Sequence, residues 1–210
     1  MSSPLTVVSH PLVQHKLSYL RDQETPTVHF RKLANEVTLL LTYEATKDLP
    51  TEPVEINTPL EPMVAARISG KKVAVCPVLR AGLGMLDGVL SLVSSARVGF
   101  LGMYRDEETL QPVEYYVKLP GDLDQRDAIV LDPMLATGNS SSAAISTVKA
   151  AGAKSVMLVC LVSAPEGIEH VHREHPDVHI VTAAVDRGLD ERGFIVPGLG
   201  DAGDRLYGTR

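Results

Sequence analysis

The strongest constraint on the fold is a regular alternation that begins near Lys72, where short apolar, β-branched segments take turns with segments of helical spacing. The segments that predict strands are 73–78, 98–104, 113–119, 128–131, 156–162 and 179–185. Helices are predicted at 84–93 and at 140–151, and Gly152 ends the second one. Strands that alternate with helices predict an α/β fold with a mostly parallel sheet flanked by helices. Ligands of such sheets bind beyond the carboxyl ends of the strands, so functional residues are expected in the loops that follow them.

The chain before this alternation predicts a helical N-terminal extension over about residues 1–50. Thr25 and Pro26 suit the cap and first turn of a helix that runs to about Asp48. Apolar residues at helical spacing predict its packed face: Phe30, Leu33, Val37, Leu40 and Leu41. No repeat, low-complexity segment or linker divides the sequence, so residues 1–210 are expected to form a single domain.

The composition excludes several classes of protein. A formal net charge of −6 gives no general attraction for nucleic acid, and a hydrophobic share of 44% is not that of a disordered chain. The first ten residues lack the basic start and apolar stretch of a secretory signal, and the longest uncharged apolar segment, 155–165, is too short to cross a bilayer. A cytoplasmic protein without membrane contact is therefore expected. Cys76 and Cys160 lie in strand-like segments and are expected to be reduced and buried.

Residues 128–141 carry the most informative pattern, a buried strand that delivers an acid and is followed by a turn rich in Thr, Gly and Ser and then a helix. The start of that helix offers unpaired N–H groups and a positive dipole end, which suit a phosphate. Thr137, Ser140 and Ser141 add hydroxyl donors, and Asp132 can accept hydrogen bonds from ribose hydroxyls. The Gly-Lys-Ser/Thr end of a Walker loop is absent. The residues alone leave a simple capped turn as an equal alternative.

The sequence Asp-Pro-Met-Leu-Ala-Thr-Gly at 132–138 resembles the sugar-diphosphate signature of the type I phosphoribosyltransferases, which bind phosphoribosyl diphosphate (PRPP). Its form is similar to that of the uracil phosphoribosyltransferase branch. The resemblance implies that nine consecutive residues bind PRPP: Asp132, Pro133, Met134, Leu135, Ala136, Thr137, Gly138, Asn139 and Ser140. Pro133 stands where most of the superfamily has a second acid. Asn139 stands where the branch usually has a glycine, and asparagine tolerates left-handed backbone better than most residues.

A second loop, 77–85, follows the first strand of the alternation and contains Gly82-x-Gly84. A dinucleotide fingerprint is one interpretation, but the third glycine comes one position late, at Gly88. The loop resembles the diphosphate loop of the phosphoribosyltransferases, and the resemblance implies that Arg80 clamps the leaving diphosphate through its planar fork. A surface arginine in a salt bridge is the alternative.

Residues 104–119 resemble the mobile hairpin of the same family. On that resemblance the hairpin is a lid that brings Arg105 to the diphosphate and excludes water from a cationic transition state. An exposed charged hairpin without a function is the interpretation that the sequence alone favours.

Residues 193–205 hold four glycines interleaved with apolar residues, a composition that brings backbone close to a ligand. The segment resembles the uracil-recognition loop of the branch. The resemblance implies that Ile195, Gly200 and Ala202 contact the base through their backbone. It also implies that Asp201, which belongs to the same uracil-binding loop, faces PRPP and helps to hold its metal or hydroxyls. Phe194 stands where a tyrosine is frequent and is left outside the predicted site.

Three histidines, His170, His172 and His175, lie in a polar segment that predicts a helix. No carboxylate arrangement beside them calls for a metal, so a metal ion held by the protein itself is not expected. Mg²⁺ that arrives with PRPP is the only cofactor that the resemblance implies.

The resemblance implies a pyrimidine-salvage enzyme that converts uracil and PRPP to UMP and diphosphate. Its catalysis would rest on Arg80, Arg105 and Asp132 without a dedicated nucleophile. GTP is a candidate allosteric activator, as in some members of the family. A helical extension on a small α/β core often supplies a subunit interface, so a homo-oligomer is also expected. Three alternatives stay open: a PRPP-sensing nucleic-acid-binding regulator on the same fold, an enzyme specific for a purine base, and a dehydrogenase.

Overall fold

The computed structural model describes residues 5–71, 73–105 and 112–209, and of Tyr104, Arg105 and Pro112 the backbone only. The strands, in chain order, are β1 (Leu5–Val7), β2 (Thr51–Asn57), β3 (Pro62–Ile68), β4 (Ala74–Leu79), β5 (Arg97–Val98), β6 (Phe100–Arg105), β7 (Pro112–Lys118), β8 (Asp127–Leu131), β9 (Met134–Leu135), β10 (Ser155–Ser163), β11 (His179–Val185), β12 (Gly188–Leu189) and β13 (Ile195–Val196). The helices are α1 (Pro11–Arg21), α2 (Thr27–Ala45), α3 (Leu83–Leu92), α4 (Asn139–Ala150), α5 (Pro165–Glu174) and α6 (Ala202–Tyr207).

The central sheet has the order β1-β11-β10-β8-β4-β6-β7. In this order, each pair of neighbouring strands from β1 at one edge to β6 is parallel. The strand at the other edge, β7, runs antiparallel to β6. The short strands β5 and β9 add to β4 and β10. The predicted α/β class with a mostly parallel sheet flanked by helices is therefore confirmed. Each strand and helix predicted in the alternation after Lys72 has bounds within two residues of an observed element, whereas α2 ends at Ala45, three residues before the predicted end.

Each face of the sheet is covered by its own hydrophobic core, and alternate residues of strand β8 belong to the two cores. Ile129 and Leu131 belong to the core on the face that α1, α2 and α3 cover. Ala128 and Val130 belong to the core on the other face, with residues of α4 and α5. All four side chains are at most 3% exposed. A strand with a helix layer on each face must be apolar at every position, which explains the unbroken apolar segments in the sequence.

Helix α2 begins one step differently from the prediction. Pro26 occupies the cap position without a side-chain cap bond. The Thr25 hydroxyl instead donates to the Tyr19 carbonyl at 2.6 Å, at the turn between α1 and α2. Phe30, Val37 and Leu41 are completely buried, as the helical spacing predicts.

Strands β2 and β3 form a two-stranded antiparallel hairpin that the sequence pattern did not predict. Most of its positions are exposed, including large apolar side chains: Leu60, Met63, Val64 and Ile68. A hairpin with no buried face has no reason to alternate apolar and polar residues, so the usual signal of a strand is missing from 51–68.

The two cysteines are free thiols with completely buried side chains, Cys76 in β4 and Cys160 in β10. Burial raises the pKa of the Cys76 thiol to about 12 and also raises that of Cys160. We expect no reaction of either thiol with a disulfide reagent at pH 8 in the folded protein, because the thiolate is the reactive form, and reaction of both after unfolding. Rapid labelling of a thiol in the native protein would contradict this burial.

None of the helices in the described part of the chain is long and apolar enough to span a membrane.

Candidate active site

A cleft of about 360 Å³ lies at the carboxyl ends of β4 and β8. Three segments that are distant in sequence line it: the loop after β4, the turn between β8 and α4, and the glycine-rich segment around β13. The residues at its surface are Val78, Leu79, Arg80, Ala81, Met103, Asp132, Pro133, Met134, Ala136, Thr137, Gly138, Ser140, Ser141, Arg192, Gly193, Phe194, Ile195, Gly200, Asp201, Ala202 and Gly203. This is the edge of a parallel sheet at which ligands of α/β proteins bind.

Asp132 follows the last residue of β8 and is half-buried in the cleft. Its Oδ2 accepts a 2.6 Å hydrogen bond from the Ser141 hydroxyl on α4, and its Oδ1 accepts the Met134 N–H at 3.3 Å. Burial raises the pKa of the Asp132 carboxyl, and the two hydrogen bonds act in the opposite direction. The protein thus fixes the orientation of this acid through two neutral donors, and among the described residues no cationic side chain is bonded to it. Its charge is therefore available to a ligand.

The turn between β8 and α4 is shaped by close packing against α5. Gly138, with φ of 85°, is the residue before α4. A Cβ on Gly138 would lie 2.9 Å from the Gly167 carbonyl oxygen, and a Cβ on Gly167 would collide with the Ala136 carbonyl oxygen. Helix α5 therefore supports the turn from behind at two glycines. Gly167 was not predicted from the sequence as a structural residue. A side chain is excluded at this position only because α5 packs against the turn, and no local sequence signal reports that packing.

The N-terminus of α4 opens toward the same cleft. Gly138 at the N-cap position makes no side-chain cap bond, and Thr137, Gly138 and Ser140 line the cleft at the start of the helix. Uncapped N–H groups at a helix start favour an anion, so this end of the cleft suits a phosphate.

Arg80 is exposed on the loop between β4 and α3 and lines the cleft. The Leu79–Arg80 peptide bond is cis. The Arg80 carbonyl accepts hydrogen bonds from the Leu83 N–H at 3.1 Å and from the Tyr207 hydroxyl at 3.0 Å. The backbone of this loop is thereby held from α3 and also from the C-terminal helix α6.

An ion pair fixes the corner that precedes the glycine-rich segment. Arg21 at the end of α1 donates from both terminal nitrogens to Asp186, at 2.6 and 2.8 Å, and the Asp186 side chain is 5% exposed. Arg21 also donates to the Gly198 carbonyl at 2.7 Å, and the Gly198 N–H donates to Asp186 at 2.9 Å. Neither Arg21 nor Asp186 was singled out from the sequence, and no local signal marks a pair that is 165 positions apart.

Arg205 in α6 fastens the same segment from its other side. Its guanidinium donates to the carbonyls of Leu20, Leu199 and Asp22, and it lies 4.4 Å over the ring of Phe30. Burial lowers the pKa of Arg205. The glycine-rich segment is thus tied to α1 and α2, so the helical N-terminal region takes part in shaping the cleft.

The turn between β12 and β13 presents two further residues to the cleft, Arg192 and Phe194. Asp190 organises this turn, because its Oδ1 accepts the N–H groups of both residues at 2.9 and 2.8 Å. The Arg192 guanidinium lies 5.9 Å from the centre of the Phe194 ring. Phe194 is not among the site residues predicted from the sequence, whereas the structure places it on the cleft wall. The Asp-x-x-Gly sequence at 190–193 is a turn signal that could have pointed to this loop.

Most of the residues predicted for the site lie together on the cleft. The predicted residues on its surface are Arg80, Asp132, Pro133, Met134, Ala136, Thr137, Gly138, Ser140, Ile195, Gly200, Asp201 and Ala202. Leu135 does not line it, because its side chain is completely buried in the core between the sheet and α4 and α5. Asn139, the first residue of α4, does not line the cleft either, although its neighbours Gly138 and Ser140 do. The side chain of Arg105 and the hairpin tip, 106–111, lie outside the described residues.

Two carboxylates, Asp132 and Asp201, line the cleft, and Asp201 also caps α6 by accepting the Asp204 N–H at 2.9 Å. Within the described ranges no three His, Cys, Asp or Glu side chains form a group that could hold a metal ion. Of the three histidines, His175 is buried against α4, where its Nε2 lies 3.0 Å from both the hydroxyl and the carbonyl oxygen of Ser142.

Proteins of known family are similar to this chain over nearly its whole length. A family model described as uracil phosphoribosyltransferase matches residues 7–209. The uracil phosphoribosyltransferase of Streptococcus mutans is 59% identical over 204 residues, 97% of this chain and 98% of that protein. That of Streptococcus pneumoniae is 58% identical over 206 residues, 98% of this chain and 99% of that protein.

Solved structures agree with this similarity. A protein of Aquifex aeolicus superposes with a TM-score of 0.93 at 38% identity, covering 98% of each chain. The adenine phosphoribosyltransferase of Trypanosoma brucei, in complex with AMP, pyrophosphate and ribose 5-phosphate, superposes with a TM-score of 0.61 at 11% identity, covering 91% of this chain and 87% of that one, so it shares the fold. The cleft at the sheet edge, the sequence similarity along 97% of the chain and these superpositions together assign the chain to the uracil phosphoribosyltransferase family.

Proposed function

We propose that this protein catalyses the transfer of ribose 5-phosphate from PRPP to uracil, giving UMP and diphosphate. The observation that carries the proposal is that one cleft joins Arg80, the uncapped N-terminus of α4 and the glycine-rich segment around β13. These features suit, in turn, a diphosphate, a sugar phosphate and the edge of a planar base. Membership of the uracil phosphoribosyltransferase family supports uracil as the base.

The ribose 5-phosphate portion would occupy the turn between β8 and α4. The N–H groups at 137–140 and the Thr137 and Ser140 hydroxyls suit the phosphate oxygens. The Asp132 carboxylate suits the ribose hydroxyls, because Ser141 and Met134 hold it in one orientation while it remains open to the cleft. Pro133, Met134 and Ala136 complete this wall.

The base would lie against the glycine-rich segment. Ile195, Gly200 and Ala202 line the cleft there, and their backbone groups can read the edge of a pyrimidine. The corner at Gly198 is held by the Arg21–Asp186 pair, so this backbone is fixed before a ligand arrives. A fixed backbone stabilises the transition state without a cost of rearrangement during the reaction.

In the reaction, a bond forms between N1 of uracil and the anomeric carbon of PRPP while the bond from that carbon to the diphosphate oxygen breaks. The diphosphate leaves with the bonding electrons, and the N1 proton is released. The protein needs no covalent intermediate for this direct transfer. Its work is to hold the two substrates in line and to stabilise negative charge on the departing diphosphate through Arg80 and, on the proposed lid at 104–119, Arg105.

Mg²⁺ is proposed to enter with PRPP, with Asp201 and Asp132 as the nearby carboxylates. Of the described residues, these two carboxylates line the cleft, and such a pair fits an ion that takes most of its oxygen ligands from its substrate and from water. Such an ion supplies neutralisation of the diphosphate charge when it is bound.

We also propose a homo-oligomeric state. The β2–β3 hairpin exposes several apolar side chains, among them Leu60 at 95% and Val64 at 62%. An isolated hairpin is only marginally stable in water, so a second subunit that covers it would stabilise both partners. In this proposal residues 1–210 form one domain, and the enzyme acts in pyrimidine salvage in the cytoplasm, with GTP as its candidate activator.

The test is the formation of UMP from uracil, PRPP and Mg²⁺, with cytosine, hypoxanthine and guanine in parallel reactions. We expect product from uracil and at least 100-fold less from each other base. With the wrong base, polar groups of the site that pair with the base edge stay buried and unpaired, which lowers kcat/KM by roughly 10⁴ in the strongest cases. Product from a purine would reassign the base. PRPP binding without any product, together with salt-sensitive retention on immobilised nucleic acid, would favour a regulator instead. Repeating the uracil reaction with and without GTP tests activation.

A further inference from the structure

Helix α6 lies between the two ends of the cleft. Its first residue, Ala202, lines the cleft at the proposed base end. Its last residue, Tyr207, reaches the loop that carries Arg80 at the proposed diphosphate end. The inference below rests on the proposed function, since it concerns how this helix serves the Arg80 loop.

The position of α6 against α3 leaves little freedom. Leu206 is completely buried, and a Cβ on Gly84 at the start of α3 would lie 2.6 Å from both Cδ atoms of Leu206. A side chain at Gly84 would therefore force Leu206 to shift, and the contact seats α6 directly on the first turn of α3. Because Leu206 is locked here, the backbone of its neighbour Tyr207 is fixed relative to the loop that precedes α3.

The Tyr207 hydroxyl uses this position to donate a 3.0 Å hydrogen bond to the Arg80 carbonyl. The two residues are 127 positions apart, so the bond joins the C-terminus of the chain to the loop after β4. The Tyr207 ring is partly exposed, at 38%. A hydrogen bond of this exposure adds little to global stability, because water can replace the lost donor when it is removed. Its effect is expected in the orientation of the loop.

We propose that Tyr207 is a positioning residue for PRPP: its hydroxyl holds the Arg80 backbone so that the guanidinium stays directed into the cleft. Tyr207 itself is not among the residues that line the cleft. Without this bond the Arg80 carbonyl keeps its bond from the Leu83 N–H alone, and the residue gains freedom to turn its side chain toward solvent. PRPP must then order the Arg80 side chain when it binds, which lowers the affinity for PRPP.

The experiment is a double-mutant cycle of Tyr207→Phe and Arg80→Ala. In the otherwise wild-type protein, Tyr207→Phe is expected to raise KM for PRPP about three- to tenfold, the range of a typical hydrogen bond, with kcat within twofold of wild type. In the Arg80→Ala background the same change is expected to alter kcat/KM for PRPP by less than twofold, because the group that it positions is absent. The melting temperature is expected to change by less than about 2 °C.

Tyr43→Phe is the matched control, since Tyr43 is 72% exposed on α2, away from the Arg80 loop, and it should leave both constants unchanged. An equal effect of Tyr207→Phe in both backgrounds would overturn the inference, as would an unchanged KM for PRPP in the single variant.

Calorimetric titration with PRPP repeats the cycle without turnover and separates the two proposals. If the wild-type protein binds PRPP but forms no UMP, the proposed function fails, and the calorimetric cycle still decides the role of Tyr207. If it does not bind PRPP, both proposals are overturned.

Discussion

Replacement of Asp132 by asparagine is expected to lower kcat/KM for PRPP by roughly 10- to 150-fold, the equivalent of a charged hydrogen bond worth about 1.5–3 kcal/mol. Asparagine has the shape of aspartate and can keep both contacts, by accepting the Met134 N–H and donating to the Ser141 hydroxyl. The variant therefore removes the charge and little else. Steady-state assays over a range of PRPP concentrations measure the effect.

The same variant is expected to be at least as stable as the wild-type protein at neutral pH. Because burial raises the pKa of Asp132, the folded state holds the proton more tightly than the unfolded chain does. Ionisation of Asp132 therefore costs stability, and this cost develops as the pH rises from the unfolded value, about 3.9, through the higher folded value. The difference in free energy of unfolding between the variant and the wild type should grow in favour of the variant across that window, as urea denaturation at several pH values would show.

Asp127→Asn is the matched control, because Asp127 begins the same strand and accepts a 2.6 Å hydrogen bond from Ser155 at the opposite end from the cleft. It should leave the use of PRPP unchanged. Wild-type kinetics for Asp132→Asn would remove Asp132 from the proposed site, and a marked loss of stability would show that its charge supports the fold.

Gly82→Ala is expected to destabilise the protein by about 3 kcal/mol or more, which corresponds to a fall in melting temperature of roughly 6–12 °C for a chain of this size. A Cβ at this position would lie 2.5 Å from the Leu131 carbonyl oxygen and 2.7 Å from both the nitrogen and the oxygen of Val78. All three atoms are backbone at the ends of β8 and β4, so no side chain can turn away. The backbone of Gly82 is right-handed, with φ of −59°, so alanine fits its conformation and the cost is steric.

Because these two strand ends form the floor of the cleft, the variant that remains folded should also lose PRPP binding. Gly121→Ala provides the comparison, since nothing lies within 4 Å of a Cβ there. Its melting temperature should stay within about 2 °C of the wild type. Equal stability of the two variants would show that the approach of the Gly82 loop to β8 is looser than described. Thermal unfolding followed by circular dichroism gives both values.

Local sequence determined the elements that carry the cleft. The apolar segment at 128–131, the acid after it and the Thr-Gly-Asn-Ser turn predict a strand, a loop and a helix start in that order, and the structure has β8, the Asp132 turn and α4 there. This was possible because the signals act within a few residues: a strand covered on both faces must be apolar, and a helix must begin where its first N–H groups can find partners. The resemblance to a family then connected three such loops, although it included Leu135, whose side chain belongs to the core.

Only the tertiary structure decided what holds those loops in place. The Arg21–Asp186 pair, the Arg205 contacts with α1 and α2, and the seat of α5 on the Asp132 turn at Gly167 all join residues that are distant along the chain. The exposed β2–β3 hairpin was likewise seen only in the structure, because a hairpin without a buried face carries no periodic pattern in its sequence. Periodicity and capping report the local conformation of a segment, whereas these contacts depend on the distance and angle at which whole helices pack on the sheet, and that geometry results from all the side chains of the core together.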